Sequence, residues 1–498
     1  MAAMSIIEKK FSTAIVFAAI LLLTFAGRAQ EIEAEIKILS SASASVTGRF
    51  IKENSNQSNK NWSFTNTVAG IENLGARISE FNLSDRRNRP ISFKKLTNGE
   101  YLADEEANFF SYRVDLTPLP QHSAMAHASW LADGKGLLML GDLLPQFAAD
   151  NQPIAARIKF NLSDDWKIIS AEKDLGDHTF EIANVEKAIF LVGKNWRERE
   201  IQIGQTNLSL TISGEWQVSD AEATEMTGEI AEEYRKLFGE IPFEKAQIFL
   251  MRFPKETKFG RWSAEARGAN VTIFSGDMPF KTQSAQLLHE QLRHEIFHLW
   301  LPNNLTLTGN YDWFYEGFAI YQALRTGVSL NRIRFEDYLD TLAQAYHLEN
   351  SSNQKKSLLE SSKNRWSGVN NQIYARGMLA AFLCDVALLR ESRGKRSIST
   401  IFREVYLKHR APGESEDGNA AILKILKNYS ELNLIIEKYV VGTEKINWET
   451  DLKSLGIVTR EEHLVTKLDV RAKLNGKQKD LLNELGYNNW RKTLDKRK

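Results

Sequence analysis

Residues 294–300 of the 498-residue chain read His-Glu-Ile-Phe-His-Leu-Trp (HEIFHLW), and this stretch is its most informative motif. On a helix, residues four apart lie one turn apart on the same face, so His294 and His298 can converge on one metal ion. Glu295 is rotated by ~100° from His294, where its carboxylate can reach a water molecule at that ion without being a ligand. The motif predicts a zinc site with Glu295 as general base. The alternative interpretation is a pair of core histidines beside a surface glutamate.

A third ligand is expected on a following helix, and residues 312–319 (DWFYEGFA) supply a candidate. Glu316 lies there among aromatic residues in a segment of helical period. An unpaired carboxylate would be costly in such surroundings, and a metal ion would remove that cost. Two histidines and one glutamate leave a coordination position for water, which is typical of catalytic zinc sites. We therefore predict one Zn²⁺ per chain, bound by His294, His298 and Glu316.

The two segments, HEIFHLW and WFYEGFA, resemble the gluzincin metallopeptidases, and within them the aminopeptidase N-type enzymes. More narrowly, the chain resembles the bacterial glycyl aminopeptidase family. Residues 374–377 (YARG) and 394–398 (GKRSI) are similar to that family's helical segment after the zinc site. This likeness covers roughly residues 201–438. The resemblance implies a thermolysin-like catalytic domain, a β-rich N-terminal domain and a peptide substrate.

The resemblance also implies roles for two further residues. Tyr374 falls on the family's tyrosine, which donates a hydrogen bond to the developing oxyanion. From its own sequence context, Tyr374 is equally well interpreted as a core aromatic residue. The nearest match to the family's amine-recognition segment is SAEAR, residues 263–267, so Glu265 is the candidate anchor for a substrate's free amino terminus.

Three features depart from the glycyl aminopeptidase pattern. Seventeen residues separate His298 from Glu316, fewer than that family is expected to have, so the loop between the ligands differs. The amine-recognition segment matches poorly. The 58 residues after Val440 are too few for the PDZ module that the family often carries, so we predict none.

These residues predict a zinc-dependent metallopeptidase, more narrowly an aminopeptidase that hydrolyses peptide bonds with a water molecule that zinc activates. Two enzymatic alternatives remain open, a zinc endopeptidase and a zinc hydrolase acting on a non-peptide bond. A third alternative is a non-catalytic zinc-binding surface protein. The presence of Glu295 argues against the third, since structure alone requires no general base.

Composition narrows the classes of partner and of metal site. The chain has 64 Lys and Arg residues against 63 Asp and Glu residues, a formal net charge of +1. Because no overall positive electrostatic field would attract nucleic acid, we predict no nucleic-acid partner. Cys384 is the only cysteine, which excludes intramolecular disulfides and cysteine-rich zinc modules. Any metal must therefore be bound by histidine and carboxylate. Cys384 itself lies in an apolar helical run and is expected to be buried.

The chain begins with a candidate export signal. Lys9 and Lys10 precede the uncharged residues 11–27, which end in small residues. This order predicts a signal peptide over residues 1–29 and a secreted or periplasmic protein. The alternative is an uncleaved membrane anchor, since the run approaches the length that spans a bilayer. No later segment approaches ~20 apolar residues, so no stable membrane span is expected after signal removal.

The remaining patterns predict a multidomain α+β fold. Residues 30–195 contain short β-branched runs between polar turns, which predicts a β-rich N-terminal domain. Residues 196–330 combine strands and helices and form the expected catalytic domain, and residues 331–440 are helical in period. Residues 441–498 are basic, with interleaved leucines that predict a helical tail rather than a nucleic-acid arm.

Overall fold

A computed structural model of the chain describes residues 32–51, 60–146, 153–351, 356–363, 365, 370–462 and 465–489. The chain divides into two compact units. The described residues up to Lys194 form the first unit, apart from residues 69–71 and 119–128. Those two short segments and the described residues from Asn195 onward form the second. The expected signal peptide, residues 1–29, lies outside the described residues.

The first unit is rich in β-structure, as the alternating β-branched runs predicted. Its largest sheet has eight strands, in the spatial order Lys173–Gly176, Thr179–Ile182, Ala156–Asn161, Ile32–Ser40, Ser43–Phe50, Phe109–Asp115, Ile78–Ser84 and Pro90–Ile91. A second sheet orders Lys167–Ile169, Ile189–Gly193, Lys135–Met139 and Trp130–Ala132, and a third orders Asn61–Ser63, Glu100–Ala103 and Phe93–Thr97. A short helix spans Leu140–Leu143. Alternate residues of these strands, such as Ile32, Ala34 and Ile36, enter one apolar core.

A five-stranded sheet opens the second unit, in the order Arg197–Ile203, Thr206–Ile212, Lys245–Met251, Asn270–Ser275 and Trp262–Arg267. The three inner strands run parallel, and both outer strands run antiparallel to their neighbours. The first two strands form a hairpin, because Gly204 has a positive φ of 56° and turns the chain between them.

Two helices cover one face of this sheet. Leu208, Leu210 and Ile212 point to that face and join the same core as both helices, Asp220–Phe238 and Lys281–Phe297. The first is preceded by Ser219, which forms a capping box with Glu222. The other outer strand, Trp262–Arg267, lies at the edge of the sheet and is called the edge strand below.

The rest of the second unit is mainly helical. A π-helix spans Trp313–Phe318. The longer α-helices are Ala319–Ser329, Phe335–Ser351, Leu358–Lys363, Asn370–Ser392, Ile398–His409, Gly418–Leu426, Glu449–Leu455 and Gly476–Glu484. A short helical stretch at Asn433–Ile435 continues into a second π-helix at Ile436–Val441. Among the described residues, no helix is both long enough and apolar enough to cross a membrane.

The prediction of a wholly helical tail over residues 441–498 was wrong. Strands Ile457–Glu462 and Val465–Val470 pair as an antiparallel hairpin before the last helix. The β-branched run Ile457-Val458-Thr459 favours strand, and the leucine spacing concealed it. The expected packing was correct at Leu468, which lies on the hairpin, and at Leu482 on the last helix, both of which join the core.

Cys384 is buried, as expected, on the helix Asn370–Ser392, and its neighbour Asp385 joins three helices. Asp385 accepts hydrogen bonds from the Tyr321 hydroxyl at 2.8 Å and from Arg325 at 2.6 Å. The backbone N–H of Ile398, at the start of the next helix, donates to its other oxygen at 2.8 Å. The carboxylate is fully buried and its charge is balanced by Arg325.

We expect Asp385→Ala to lower the free energy of unfolding by ~3–5 kcal/mol, because it leaves Arg325 as a buried charge without its partner. Urea denaturation followed by circular dichroism measures the change. Glu391→Ala is the matched control on the same helix, since its ion pair with Arg390 is exposed and such pairs contribute ~0–1 kcal/mol. Equal losses in the two variants would contradict the prediction.

Candidate metal centre and active site

The helix Lys281–Phe297, called the histidine helix below, carries the first two candidate ligands. Leu288, Leu292 and Ile296 recur every four residues and are buried in the core, so this face fixes the rotation of the helix. The Tyr234 hydroxyl also donates a hydrogen bond to the Arg293 carbonyl at 2.7 Å. His294 lies in the last turn, and His298 is the C-cap residue with helical backbone angles. The i, i+4 spacing is therefore preserved across the end of the helix.

The third candidate ligand, Glu316, lies on the π-helix Trp313–Phe318. Trp313, Phe314 and Phe318 are fully buried and anchor this segment in the core. Gly317 allows the close approach of the helix Asn370–Ser392, since a Cβ atom there would lie 2.6 Å from the carbonyl oxygen of Ile373. The sequence predicted an α-helix, and the wider turn is a form that recurs at functional sites.

The three predicted ligands meet in one place. His294 Nε2 lies 3.1 Å from Glu316 Oε2 and 3.3 Å from His298 Nε2. His298 Nε2 lies 3.8 Å from Glu316 Oε1. Ligand atoms ~2.0–2.2 Å from a tetrahedral Zn²⁺ lie roughly 3.3–3.6 Å from one another. Within the described part of the chain, these are the residues whose donor atoms cluster in this way, and their geometry fits zinc.

The protonation of His298 and of Glu316 also suits a metal ion. His298 Nδ1 lies 2.8 Å from the Leu301 carbonyl and donates to it, which leaves the Nε2 lone pair for a ligand. Burial lowers the pKa of His298 to about 4, so its ring is neutral near pH 7. Burial opposes ionisation of Glu316, but the charge of Arg365 and the hydrogen bond from His294 outweigh it and lower its pKa. A neutral imidazole and an ionised carboxylate are the forms that bind zinc.

Glu295 is 5% exposed, and its carboxylate is not one of the three converging donors. Burial raises the pKa of Glu295 to about 8, and the negative charges of Glu316 and Glu265 add to the rise. A carboxylate whose pKa lies near the working pH can both accept and return a proton. The buried surroundings of Glu295 therefore suit proton transfer, and its carboxylate lies outside the group of converging donors.

Tyr374, on the helix Asn370–Ser392, is linked to the same cluster through Arg365. Arg365 Nη2 lies 2.9 Å from Glu316 Oε1 and donates to the Tyr374 hydroxyl at 3.2 Å. Burial raises the pKa of Tyr374, so the phenol keeps its proton and can donate a hydrogen bond. The family resemblance pointed to Tyr374 as a site residue, but no spacing rule connects Arg365 to the zinc motif.

Glu265 lies on the edge strand and is already paired on both carboxylate oxygens. Oε1 lies 2.9 Å from Arg267 Nε, and Oε2 lies 2.5 Å from His127 Nδ1. Burial opposes its ionisation, but the charges of Arg267 and His127 lower its pKa. The contact with His127 has no local signal in the sequence, because residues 119–128 reach the second unit from far along the chain.

His289 shows how rotation on the helix separates ligands from other histidines. It lies five residues before His294, and its Nε2 is 2.8 Å from Glu229 Oε1 on the helix Asp220–Phe238. Its Nδ1 contacts Arg293. These partners point it away from the cluster, as a rotation of ~140° between residues five apart on a helix requires.

The fold of the chain is similar to several solved structures, whereas no family model and no curated protein sequence matches it. An aminopeptidase N family protein from Idiomarina loihiensis superposes with a TM-score of 0.72 at 16% identity, over 86% of this chain and 79% of the other. A variant of the M1 zinc metallopeptidase from Deinococcus radiodurans gives a TM-score of 0.52 at 14% identity, over 84% and 96%. The same kind of enzyme bound to a Tyr-Ser-Ala substrate gives 0.53 at 14% identity, over 84% and 95%. At these identities the likeness establishes the fold, and the described chain has the fold of M1 zinc metallopeptidases.

Proposed function

We propose that this chain is a zinc-dependent metallopeptidase, and more narrowly an aminopeptidase. His294, His298 and Glu316 are the proposed zinc ligands, with Glu295 as general base and Tyr374 as oxyanion donor. The observation that carries the proposal is the convergence of two imidazole nitrogens and one carboxylate beside a buried glutamate that is not a ligand. Export through the leader and the narrower likeness to glycyl aminopeptidases belong to the same proposal.

Different residues of the chain carry out different parts of the proposed hydrolysis. Bound zinc supplies Lewis-acid chemistry, which polarises the scissile carbonyl and makes water more acidic. Glu295 accepts a proton from the attacking water and delivers it to the amine that leaves. Tyr374 donates its hydroxyl hydrogen to the carbonyl oxygen as negative charge builds on it. Burial of Glu295 strengthens its interaction with the transferred proton, because little water reaches its carboxylate.

Tyr374→Phe is expected to lower kcat by ~10²–10³-fold with little change in KM, because the lost hydrogen bond acts mainly in the transition state. Steady-state kinetics on zinc-loaded protein measures both constants. Tyr406→Phe, a buried tyrosine on the helix Ile398–His409, is the control and should keep normal turnover. An unchanged kcat in Tyr374→Phe would remove Tyr374 from the mechanism.

The choice between aminopeptidase and endopeptidase depends on Glu265. A carboxylate on the edge strand is a suitable anchor for a substrate's free amino group, because it can accept further hydrogen bonds beyond the two that it makes. The endopeptidase alternative is favoured by one observation, since Arg267 already balances the charge of Glu265 and His127 contacts its other carboxylate oxygen. We assign Glu265 the role of binding the substrate's amino group. Arg267 and His127 are then the side chains that orient the Glu265 carboxylate.

A pair of peptides that differ only at the amino terminus separates these alternatives. For an aminopeptidase, we expect the free peptide to be cleaved at least ~10²-fold better in kcat/KM than its acetylated form, since the charge-assisted hydrogen bond to Glu265 is lost. Glu265→Gln should remove most of that difference. Equal cleavage of both peptides by wild-type protein would favour the endopeptidase, and cleavage of neither by zinc-loaded protein would contradict the peptidase proposal.

A further inference from the structure

Arg365 occupies the centre of the candidate site, although no motif pointed to it. Its side chain is 17% exposed, and it contacts three functional groups at once. Nη2 lies 2.9 Å from Glu316 Oε1 and 3.2 Å from the Tyr374 hydroxyl. Nη1 lies 3.2 Å from Asp312 Oδ1, one residue before the π-helix. One guanidinium therefore bridges a proposed metal ligand and a proposed oxyanion donor.

The two oxygens of Glu316 have different neighbours. Oε2 is the atom near His294 Nε2, at 3.1 Å, and so belongs to the metal-binding cluster. Oε1 is the atom that accepts from Arg365, at 2.9 Å. A carboxylate with one oxygen held by a hydrogen bond presents the other in a defined direction. Partners of this kind orient metal ligands in many proteins and affect metal affinity.

The hydroxyl of Tyr374 is oriented in the same way. Its oxygen accepts a hydrogen bond from Arg365 Nη2, so the hydroxyl hydrogen is directed elsewhere and is available to a substrate oxygen. Because Nη2 has two hydrogens in one plane, it can bond Glu316 and Tyr374 together. A lysine ammonium lacks this planar, preorganised arrangement.

We propose that Arg365 is a positioning residue that orients the metal ligand Glu316 and the hydroxyl of Tyr374 through the two hydrogens of one nitrogen. Asp312 holds the other end of the guanidinium. This inference rests on the proposed zinc function and extends it to a residue outside the zinc motif.

Charge balance explains how a cation is accommodated beside a metal site. Asp312 is buried at 6% exposure and faces Arg365, so the two form a pair with no net charge. A purely electrostatic role for Arg365 makes the opposite prediction to a positioning role, because removing a positive charge near Zn²⁺ would by itself strengthen zinc binding.

The two roles predict opposite changes in zinc affinity, and the test measures that change. Zinc affinity of the full-length protein is measured by competition with a chromogenic chelator, on wild type, Arg365→Gln and the double variant Asp312→Asn/Arg365→Gln. The double variant removes one positive and one negative charge, so the net charge of the site is unchanged. If Arg365 orients Glu316, the zinc dissociation constant of the double variant should rise by ~10–100-fold, as for the loss of other partners of metal ligands. Arg365→Gln should weaken binding less, because the lost positive charge partly offsets the effect.

Tyr374 provides the second arm of the test. With zinc saturating, Arg365→Gln should lower kcat by at least ~10-fold in wild type but have little further effect in Tyr374→Phe, since coupled residues are not additive. Arg396→Gln is the matched control, an arginine paired with Glu431 at 2.8 Å that contacts none of the site residues. Its zinc affinity and kcat should match wild type. Circular dichroism confirms that each variant is folded, and Arg365→Lys replaces Arg365→Gln if that variant is not.

The possible results of these two measurements distinguish the positioning role of Arg365 from its alternatives. Weaker zinc binding in the double variant together with non-additive kcat effects supports the positioning role. Unchanged or tighter zinc binding in the double variant overturns it, as do additive kcat effects. If wild-type protein binds no zinc, the proposed function fails and this inference fails with it. If wild type binds zinc and the arginine variants bind it equally, only the inference about Arg365 fails.

Discussion

Glu295→Gln is expected to lower kcat by ~10²–10⁴-fold while one zinc per chain is retained, because glutamine keeps the size of the side chain but cannot accept the proton. Glu295 is not among the three converging donors, so its replacement leaves the proposed metal ligands intact. Its burial and its raised pKa place it in surroundings suited to proton transfer. Metal analysis and steady-state kinetics on the same preparation measure the two parts of the prediction.

Glu290→Gln is the matched control for this variant. Glu290 lies on the same histidine helix but is exposed, so its substitution should change neither zinc content nor turnover. Normal turnover in Glu295→Gln would show that the hydrolytic mechanism is wrong. Loss of zinc from Glu295→Gln would instead show that the division between ligands and base is wrong.

His298→Gln is expected to abolish both zinc binding and hydrolysis, because it removes the ligand whose Nε2 completes the cluster. Zinc should stabilise wild-type protein, and a ligand at 100 times its Kd contributes ~2.7 kcal/mol to the stability of the folded state. The melting temperature of wild type should therefore rise on addition of zinc and fall with a chelator. His298→Gln should show neither shift.

His289→Gln serves as the control for the ligand variant. His289 lies on the same helix and is buried, yet it contacts Glu229 and Arg293 rather than the cluster. Its melting temperature is expected to be lower than that of wild type, but zinc should still raise it. A zinc-dependent rise in His298→Gln equal to that of wild type would mean that the metal is bound elsewhere.

Local spacing was enough to predict the parts of the site that lie on one helix. The i, i+4 separation of His294 and His298 follows from helix geometry, and the structure keeps their nitrogens 3.3 Å apart. Glu316 was predictable for a different reason, since a carboxylate among buried aromatic residues needs a compensating charge. The structure confirms that it meets both histidines, although on a π-helix rather than an α-helix.

The tail hairpin shows where pattern alone was insufficient. Ile457, Val458 and Thr459 favour a strand, but the later leucines at helical spacing suggested one continuous packing face. The hairpin forms because two strands pair and Leu468 enters the core. Short apolar runs of this kind fit either type of structure until their packing partners are known.

Residues close together in the chain were enough to predict the pair of histidines, the adjacent Glu295 as a candidate base, the β-rich first unit and the position of Cys384 in an apolar helix. These features depend on residues close together in the chain, where helix and strand periods apply directly. Only the tertiary structure decided that Arg365 joins Glu316 to Tyr374, and that His127 and Arg267 occupy both oxygens of Glu265. Contacts of this second kind join residues from separate elements, and they form because a buried charge must find a partner among whichever side chains packing brings within reach.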